Sequence, residues 1–239
     1  MNKRKKMNTS CQDCQTRTKG IFSQCEPDAL DILDQRKIVN TYQKGQTLFV
    51  EGNPTHGLFC VKWGAVKLTK MGIDGKDVIV RLVGTGGVLG HRSVFSANHY
   101  GASATALEET KVCFIEKKLI TELIEKDSSV AYSIIGHLSL ELGASEKKQA
   151  SFSQKNVEGR VCELLFILKQ SYGEKLDDNL IRINLKLSRE DMASYLGIAT
   201  ETLIRTISEL KKERIINQDG KNIIILDENK LIKWGKIDC

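Results

Sequence analysis

Near residue 127 the hydrophobic pattern changes period, and that change limits the chain to a small set of architectures. Before it, from about Thr41 to Ile115, short β-branched runs alternate with glycine: Thr47-Leu48-Phe49-Val50, Gly57-Leu58-Phe59-Cys60-Val61, Ala65-Val66-Lys67-Leu68, Val78-Ile79-Val80-Arg81-Leu82 and Val112-Cys113-Phe114-Ile115. Such spacing predicts a small antiparallel β-barrel or sandwich, with Asp74-Gly75 signalling a two-residue hairpin and Gly45, Gly52, Gly64, Gly87 and Gly90 at its tight corners. After the change, from about Ser128 to Ser153, apolar residues recur at Val130, Ile134, Leu138 and Leu142, flanked by Ala131 and Ile135, at helical spacing. Asp127 or Ser128 is placed to cap that helix. At its usual rise it spans roughly 39 Å, far more than one side of a small barrel requires, so part of it needs another partner. Gly136 and Gly143 fall on nearly one face of it. Glycine inside a helix costs about 1 kcal/mol, and close approach of a second helix is a reason to accept that cost. A lone helix lying on its own barrel is the alternative.

Beyond Gln154 a second helical stretch, Val157 to Gln170, precedes a polar segment, Ser171 to Asn179, and a short β-like run, Leu180 to Leu185. In the next stretch, Ser188 can cap a helix that carries Asp191 at its third position, turns Met192 and Leu196 inward and is closed by Gly197. A second helix follows, with Leu203, Ile207 and Leu210 inward. Two short helices joined by a glycine-containing turn form a helix-turn-helix, whose second helix enters the major groove of DNA by its N-terminal half. That half presents Thr200, Glu201, Ile204 and Arg205. Glu201 and Arg205 lie four apart on one face. The guanidinium suits guanine O6 and N7, the carboxylate suits cytosine N4, and Ile204 suits a thymine methyl. A surface ion pair between Glu201 and Arg205 is the competing explanation. Gly220-Lys221 followed by Asn222 to Leu226 reads as the turn and strand of a wing; Ser188, Arg189 and Lys221 are candidates for phosphate contacts.

Charge by itself does not argue for nucleic acid. The formal net charge is +6, but basic and acidic residues number 8 against 5 in 1–38, 13 against 11 in 39–152 and 15 against 14 in 153–239. No apolar run is long enough for a membrane span or a secretory signal, and seven cysteines suit a reducing compartment, so a cytoplasmic location is expected. Enzyme chemistry is not expected: His56, His91, His99 and His137 are scattered without a ligand or nucleophile-base pattern, and no P-loop occurs.

The stretches Tyr42-Gln43-Lys44-Gly45-Gln46-Thr47-Leu48-Phe49-Val50-Glu51-Gly52, Gly64-Ala65-Val66-Lys67, Gly87-Val88-Leu89-Gly90 and Ala199-Thr200-Glu201-Thr202-Leu203-Ile204-Arg205 resemble the CRP/FNR family of bacterial regulators over nearly the whole chain. The resemblance implies an α+β fold in four parts. These are a cysteine-containing arm and first helix (1–38), a cyclic-nucleotide-binding-like β-roll or jelly roll (39–126), a dimerisation helix (127–153) and a winged helix-turn-helix (154–239). It further implies a homodimer on a roughly two-fold symmetric operator in double-stranded DNA, in contact with RNA polymerase. In the cyclic-AMP-binding branch a Gly-Glu pair and an Arg-Ser pair hold the ligand; here those positions read Gly90-His91 and Gly101-Ala102. A phosphodiester without its arginine is poorly held, so cyclic AMP is not the expected signal, and Gly90, His91 and Arg92 remain either a pocket for another effector or a solvated loop.

Cys11-x-x-Cys14, Cys25 and Cys113 resemble the oxygen-sensing FNR branch, which implies ligands for a [4Fe–4S] cluster and gating by redox state or oxygen. Ten residues separate Cys14 from Cys25, about twice the gap in the FNR pattern, which puts ligation by Cys25 in question. Zinc binding, a redox disulfide or no role remain open for Cys11 and Cys14, and Cys60, Cys113 and Cys162 also read as small buried hydrophobes. The alternative for the whole chain is the same DNA-binding dimer under a small non-cyclic-AMP ligand, or under no signal at all.

Overall fold

A computed structural model describes residues 10–96, 98–177, 180–185, 187–220 and 222–237. In chain order the elements begin with α1 (Pro27–Arg36), β1 (Ile38–Tyr42), β2 (Thr47–Phe49), β3 (Gly57–Trp63), β4 (Val66–Met71), β5 (Asp77–Val83), β6 (Val88–Leu89) and α2 (His91–Ser96). They continue with β7 (Ser103–Ala106), β8 (Thr110–Glu116), α3 (Lys117–Lys126), α4 (Ser128–Gln154), α5 (Val157–Tyr172), β9 (Gly173–Asp177) and β10 (Leu180–Ile183). The last are α6 (Arg189–Leu196), α7 (Thr200–Lys212), β11 (Ile216–Asp219), β12 (Asn222–Ile225) and α8 (Glu228–Gly235). By internal contacts the chain divides into two compact units, one from 1–70 and 82–142, the other from 71–81 and 143–239.

The first unit is the expected β-roll. Its strands run β1-β8-β3-β6 in one sheet and β2-β7-β4 in the other, paired antiparallel. Alternate side chains point inward, so Phe49, Phe59, Val61, Val66, Leu89 and Val112 meet in one apolar core, where Phe49 stacks on Phe59 and Tyr100. Gly64 shows why the corners demand glycine. Its φ is +99°, and a Cβ there would sit 2.5 Å from the Thr110 hydroxyl. The Asp74-Gly75 hairpin is wider than the dipeptide predicts: the Gly72 N–H closes on the Lys76 carbonyl at 2.8 Å. Gly86, not Gly87, takes the positive φ at the next corner.

A second core joins the arm to the helices. Ile21 and Phe22 of the arm, Leu30 and Leu33 of α1, Leu119, Ile120 and Leu123 of α3, and Val130 and Ile134 of α4 are buried together. Weak apolar periodicity in residues 10–25 concealed this packing, because the segment folds as turns around one guanidinium. Arg17 donates to the carbonyls of Cys11, Phe22 and Ser23, each at 3.0 Å. Asp127 caps α4 by accepting from the Ser129 N–H at 2.9 Å, and its other oxygen accepts from Glu26 N–H at 2.8 Å. The Glu26 N–H, first among its donors, holds the Asp127 carboxyl below the usual carboxylate range.

α4 is 27 residues long. Val130 and Ile134, with Leu138 half-buried, form its inward row, whereas Tyr132, Ile135, Leu140 and Leu142 are exposed, at 72%, 58%, 76% and 62%. Leu142 therefore lies outside the inward row that its spacing suggested.

In the second unit, the expected polar segment Ser171 to Asn179 includes a strand, β9, paired with β10 in the sheet β11-β12-β10-β9. Its five residues are all exposed, so no apolar alternation marks it. α6 and α7 pack as a pair in front of the β11–β12 hairpin, and α8 packs on α5. Within this unit Ile79 N–H also donates to Ser194 Oγ at 3.0 Å. Among the described residues no helix is long and apolar enough to cross a membrane.

Candidate DNA-reading surface and cysteine site

Local chemistry sets both ends of the helix-turn-helix. Ser188 Oγ accepts from Asp191 N–H at 3.0 Å and starts α6; Gly197, at φ +62°, ends it. α7 buries Leu203, Thr206, Ile207 and Leu210 along one face. The opposite face leaves Glu201, Ile204 and Arg205 exposed, with Thr200 half-buried at the start. Among the described residues Glu201 and Arg205 are not ion-paired, so the carboxylate and the guanidinium stand one turn apart and open to solvent. Arg189 is already engaged: its guanidinium donates to Gln218 Oε1 of β11 at 2.9 Å and rests 3.6 Å from Met192 Sδ. It ties α6 to the wing. Ser188 stays exposed at the cap; Lys221 lies outside the described residues, between Gly220 and Asn222 of the wing.

The cysteines gather more closely than their spacing suggests. A cavity of about 50 Å³ is lined by Cys11 and Cys14 of the arm, Cys60 of β3 and Cys113 of β8. Cys60 and Cys113 are direct cross-strand partners. Cys25 does not line this cavity; it is buried nearby in the same apolar cluster as Cys11 and Cys113. Burial, reinforced by the Asp127 carboxylate, pushes its thiol up to about 12. Sequence reasoning missed Cys60 because strand pairing, which sets it opposite Cys113, is not written in local spacing.

Burial pushes Cys11 up to about 11 despite the Lys37 ammonium 3.1 Å from its sulfur, and raises Cys60 and Cys113 as well. Cys14 moves the other way. Burial opposes it, yet hydrogen bonding from the Thr16 hydroxyl and the Arg17 and Thr16 backbone, with the Lys62 charge, lowers its pKa. Cations thus border an apolar cavity with four sulfur donors, a setting suited to an anionic thiolate-bound group. Thiolates around one zinc at 2.3 Å lie about 3.8 Å apart. Among the described residues no three cysteine sulfurs fall within 4.8 Å of one another, so as placed they do not close around a single ion.

At the effector position, Gly90 takes φ +77° and delivers His91 to the start of α2. His91 is not solvated: it is 1% exposed, and its Nε2 lies 3.1 Å from Glu141 Oε2 of α4. Arg92 points to solvent. Gly101 N–H donates to Ser93 Oγ at 3.2 Å.

Comparison with known proteins agrees with both units. The cyclic nucleotide-binding domain family matches residues 39–127, and the Crp-like helix-turn-helix domain family matches residues 159–234. A roll of this kind, a long helix and a winged helix-turn-helix on one chain define a DNA-binding transcription regulator. The chain belongs to the CRP/FNR family. It is 29% identical over 224 residues to the electron transport regulator A of Shewanella oneidensis, covering 92% of this chain and 88% of that protein. It is 27% identical over 230 residues to the fumarate and nitrate reduction regulatory protein of Vibrio cholerae (95% and 90%), and 24% identical over 217 residues to the CRP-like cAMP-activated global transcriptional regulator of Mycobacterium tuberculosis (91% and 96%). The structure of FixK2 from Bradyrhizobium japonicum superimposes with a TM-score of 0.75 at 22% identity, covering 85% of this chain and 99% of that one. The relatives matched are transcription regulators, not enzymes.

Proposed function

We propose that the chain acts as a homodimer on a two-fold symmetric operator, and that the cysteine site couples redox or oxygen state to operator affinity. The cavity shared by Cys11, Cys14, Cys60 and Cys113 carries this reading, because it brings two thiols of the arm and two of the roll to one apolar space bordered by Arg17, Lys37 and Lys62. Those four residues would hold a [4Fe–4S] cluster, with Cys60 in place of Cys25 as the fourth donor. When bound, such a cluster supplies iron–sulfur bonds that oxygen destroys. The names of the Shewanella and Vibrio relatives, concerned with electron transport and with fumarate and nitrate reduction, support the same direction.

The remaining roles belong to the chain. Lys37 and Lys62 offset thiolate charge, and Arg17 keeps Cys11 and Cys14 facing the strands. The packing of Ile21 and Phe22 in the same cluster as Val130 and Ile134 makes the position of α4 sensitive to the arm. Along α4 the exposed Tyr132, Ile135 and Leu142 recur at coiled-coil spacing, and a Cβ added at Gly136 or Gly143 meets nothing in this chain, as a closely approaching second copy requires. On α7, Glu201 and Arg205 read bases, with Thr200 and Ile204 beside them, while Ser188, Arg189 and Lys221 position the backbone; RNA polymerase is the further partner. Cyclic AMP is not the signal, because the inward His91 and the Gly101-Ala102 pair leave its phosphate without an arginine.

Anaerobic purification tests the cysteine reading. A brown protein with about four irons and four sulfides per chain is expected, with iron lost in the Cys60→Ser variant and kept in Cys25→Ser. A colourless protein fully competent for DNA would assign control to a small ligand or to none; iron retained by Cys60→Ser but lost from Cys25→Ser would move the fourth ligand to Cys25.

A further inference from the structure

We infer that the first unit holds a second metal site, for a divalent first-row transition ion, formed by His91, His137 and Glu141. The three residues come from two elements. His137 and Glu141 stand one turn apart on a single face of α4, and His91 is the first residue of α2. Glu141 reaches both imidazoles: its Oε2 lies 3.1 Å from His91 Nε2, and its Oε1 lies 3.0 Å from His137 Nε2. The rings meet edge to face with centroids 5.3 Å apart, and one ligand atom from each residue falls within a mutual 4.8 Å. His91 is buried, and His137 and Glu141 are each 19% exposed at the side chain, so the set is sheltered with an opening toward solvent.

Geometry and donor type select the ligand. Around an ion with bonds of 2.0–2.1 Å, tetrahedral ligand atoms stand about 3.4 Å apart; each imidazole lies within 3.1 Å of one Glu141 oxygen, and one ligand atom from each residue is within 4.8 Å of the other two, so modest side-chain rotations close the set on one ion. Two imidazoles and one carboxylate favour zinc, cobalt, nickel or ferrous iron over calcium and magnesium, which take oxygen ligands, and over cuprous copper, which takes sulfur. Three protein ligands leave a coordination position for water or an incoming group. An ion here would tie the effector position of the roll to the helix that carries the exposed apolar row. The site shares no residue with the cysteine cavity.

The test is a cobalt(II) titration of the chelator-stripped full chain, followed by visible absorption. Thiolate-bound cobalt shows intense near-ultraviolet charge-transfer bands, whereas an imidazole–carboxylate site shows weak d–d bands alone, so the two sites are read separately. The expected result is one cobalt per chain with d–d bands that survive Cys11→Ser with Cys14→Ser and that zinc displaces. His137→Ala and Glu141→Gln are each expected to weaken this binding by at least about tenfold, since loss of even outer-shell partners costs that much at metal sites. Glu141→Gln preserves shape and decides the question if His137→Ala fails to fold. Cobalt binding unchanged in Glu141→Gln, or no cobalt beyond the thiolate site, overturns the inference.

Discussion

Replacing Ile135 by aspartate is expected to leave a folded chain that sediments as a monomer and binds its operator about a thousandfold more weakly. Ile135 is 58% exposed and contributes to neither core of the first unit, so the fold has little to lose. A second copy of α4 would bury it together with Tyr132 and Leu142, each large apolar side chain contributing about 1.5–3 kcal/mol. Aspartate removes that contribution twice per dimer and places two like charges in an apolar seam. Operator binding then loses its bivalence. Linking two half-site contacts raises affinity by roughly 10²–10⁴, and a monomer forfeits that factor. Sedimentation velocity with an operator titration checks both parts; a dimer of unaltered affinity would place the interface elsewhere.

Arg205→Ala is expected to weaken binding to the cognate operator by about 1–3 kcal/mol, roughly 5- to 150-fold, and to relax preference at one base pair per half-site. Arg205 is exposed on α7 with no carboxylate partner among the described residues, so the substitution deletes a donor without breaking a structural pair. Buried Leu203 and Ile207 on the other face keep the helix seated. Titration against operators varied one base pair at a time separates the outcomes. Equal weakening on every sequence would make Arg205 a phosphate contact instead.

What could be read in the chain beforehand followed from local rules. Ser188 and Gly197 mark the ends of α6 because capping and left-handed φ are properties of single residues, and α7 shows its inward row through spacing alone. The length of α4 was legible for the same reason. Elements whose existence depends on distant partners were not. β9 has five exposed residues and exists through its ladder with β10, and β7, Ser103–Ala106, is built of small residues without an apolar run. Cys60 became a member of the cysteine site only through its register opposite Cys113, at a sequence separation of 53. The histidines judged scattered include two that the fold brings together, because His91 and His137 are joined by the packing of α2 beside α4 and not by any spacing.

Operator affinity of the iron-loaded chain, measured without oxygen and again after exposure to air, tests the link between cysteine site and DNA most directly. A change of at least about fivefold is expected, the lower end of typical allosteric coupling, and it should vanish in Cys14→Ser. Identical affinities before and after air, in a chain shown to have lost its iron, would contradict the account.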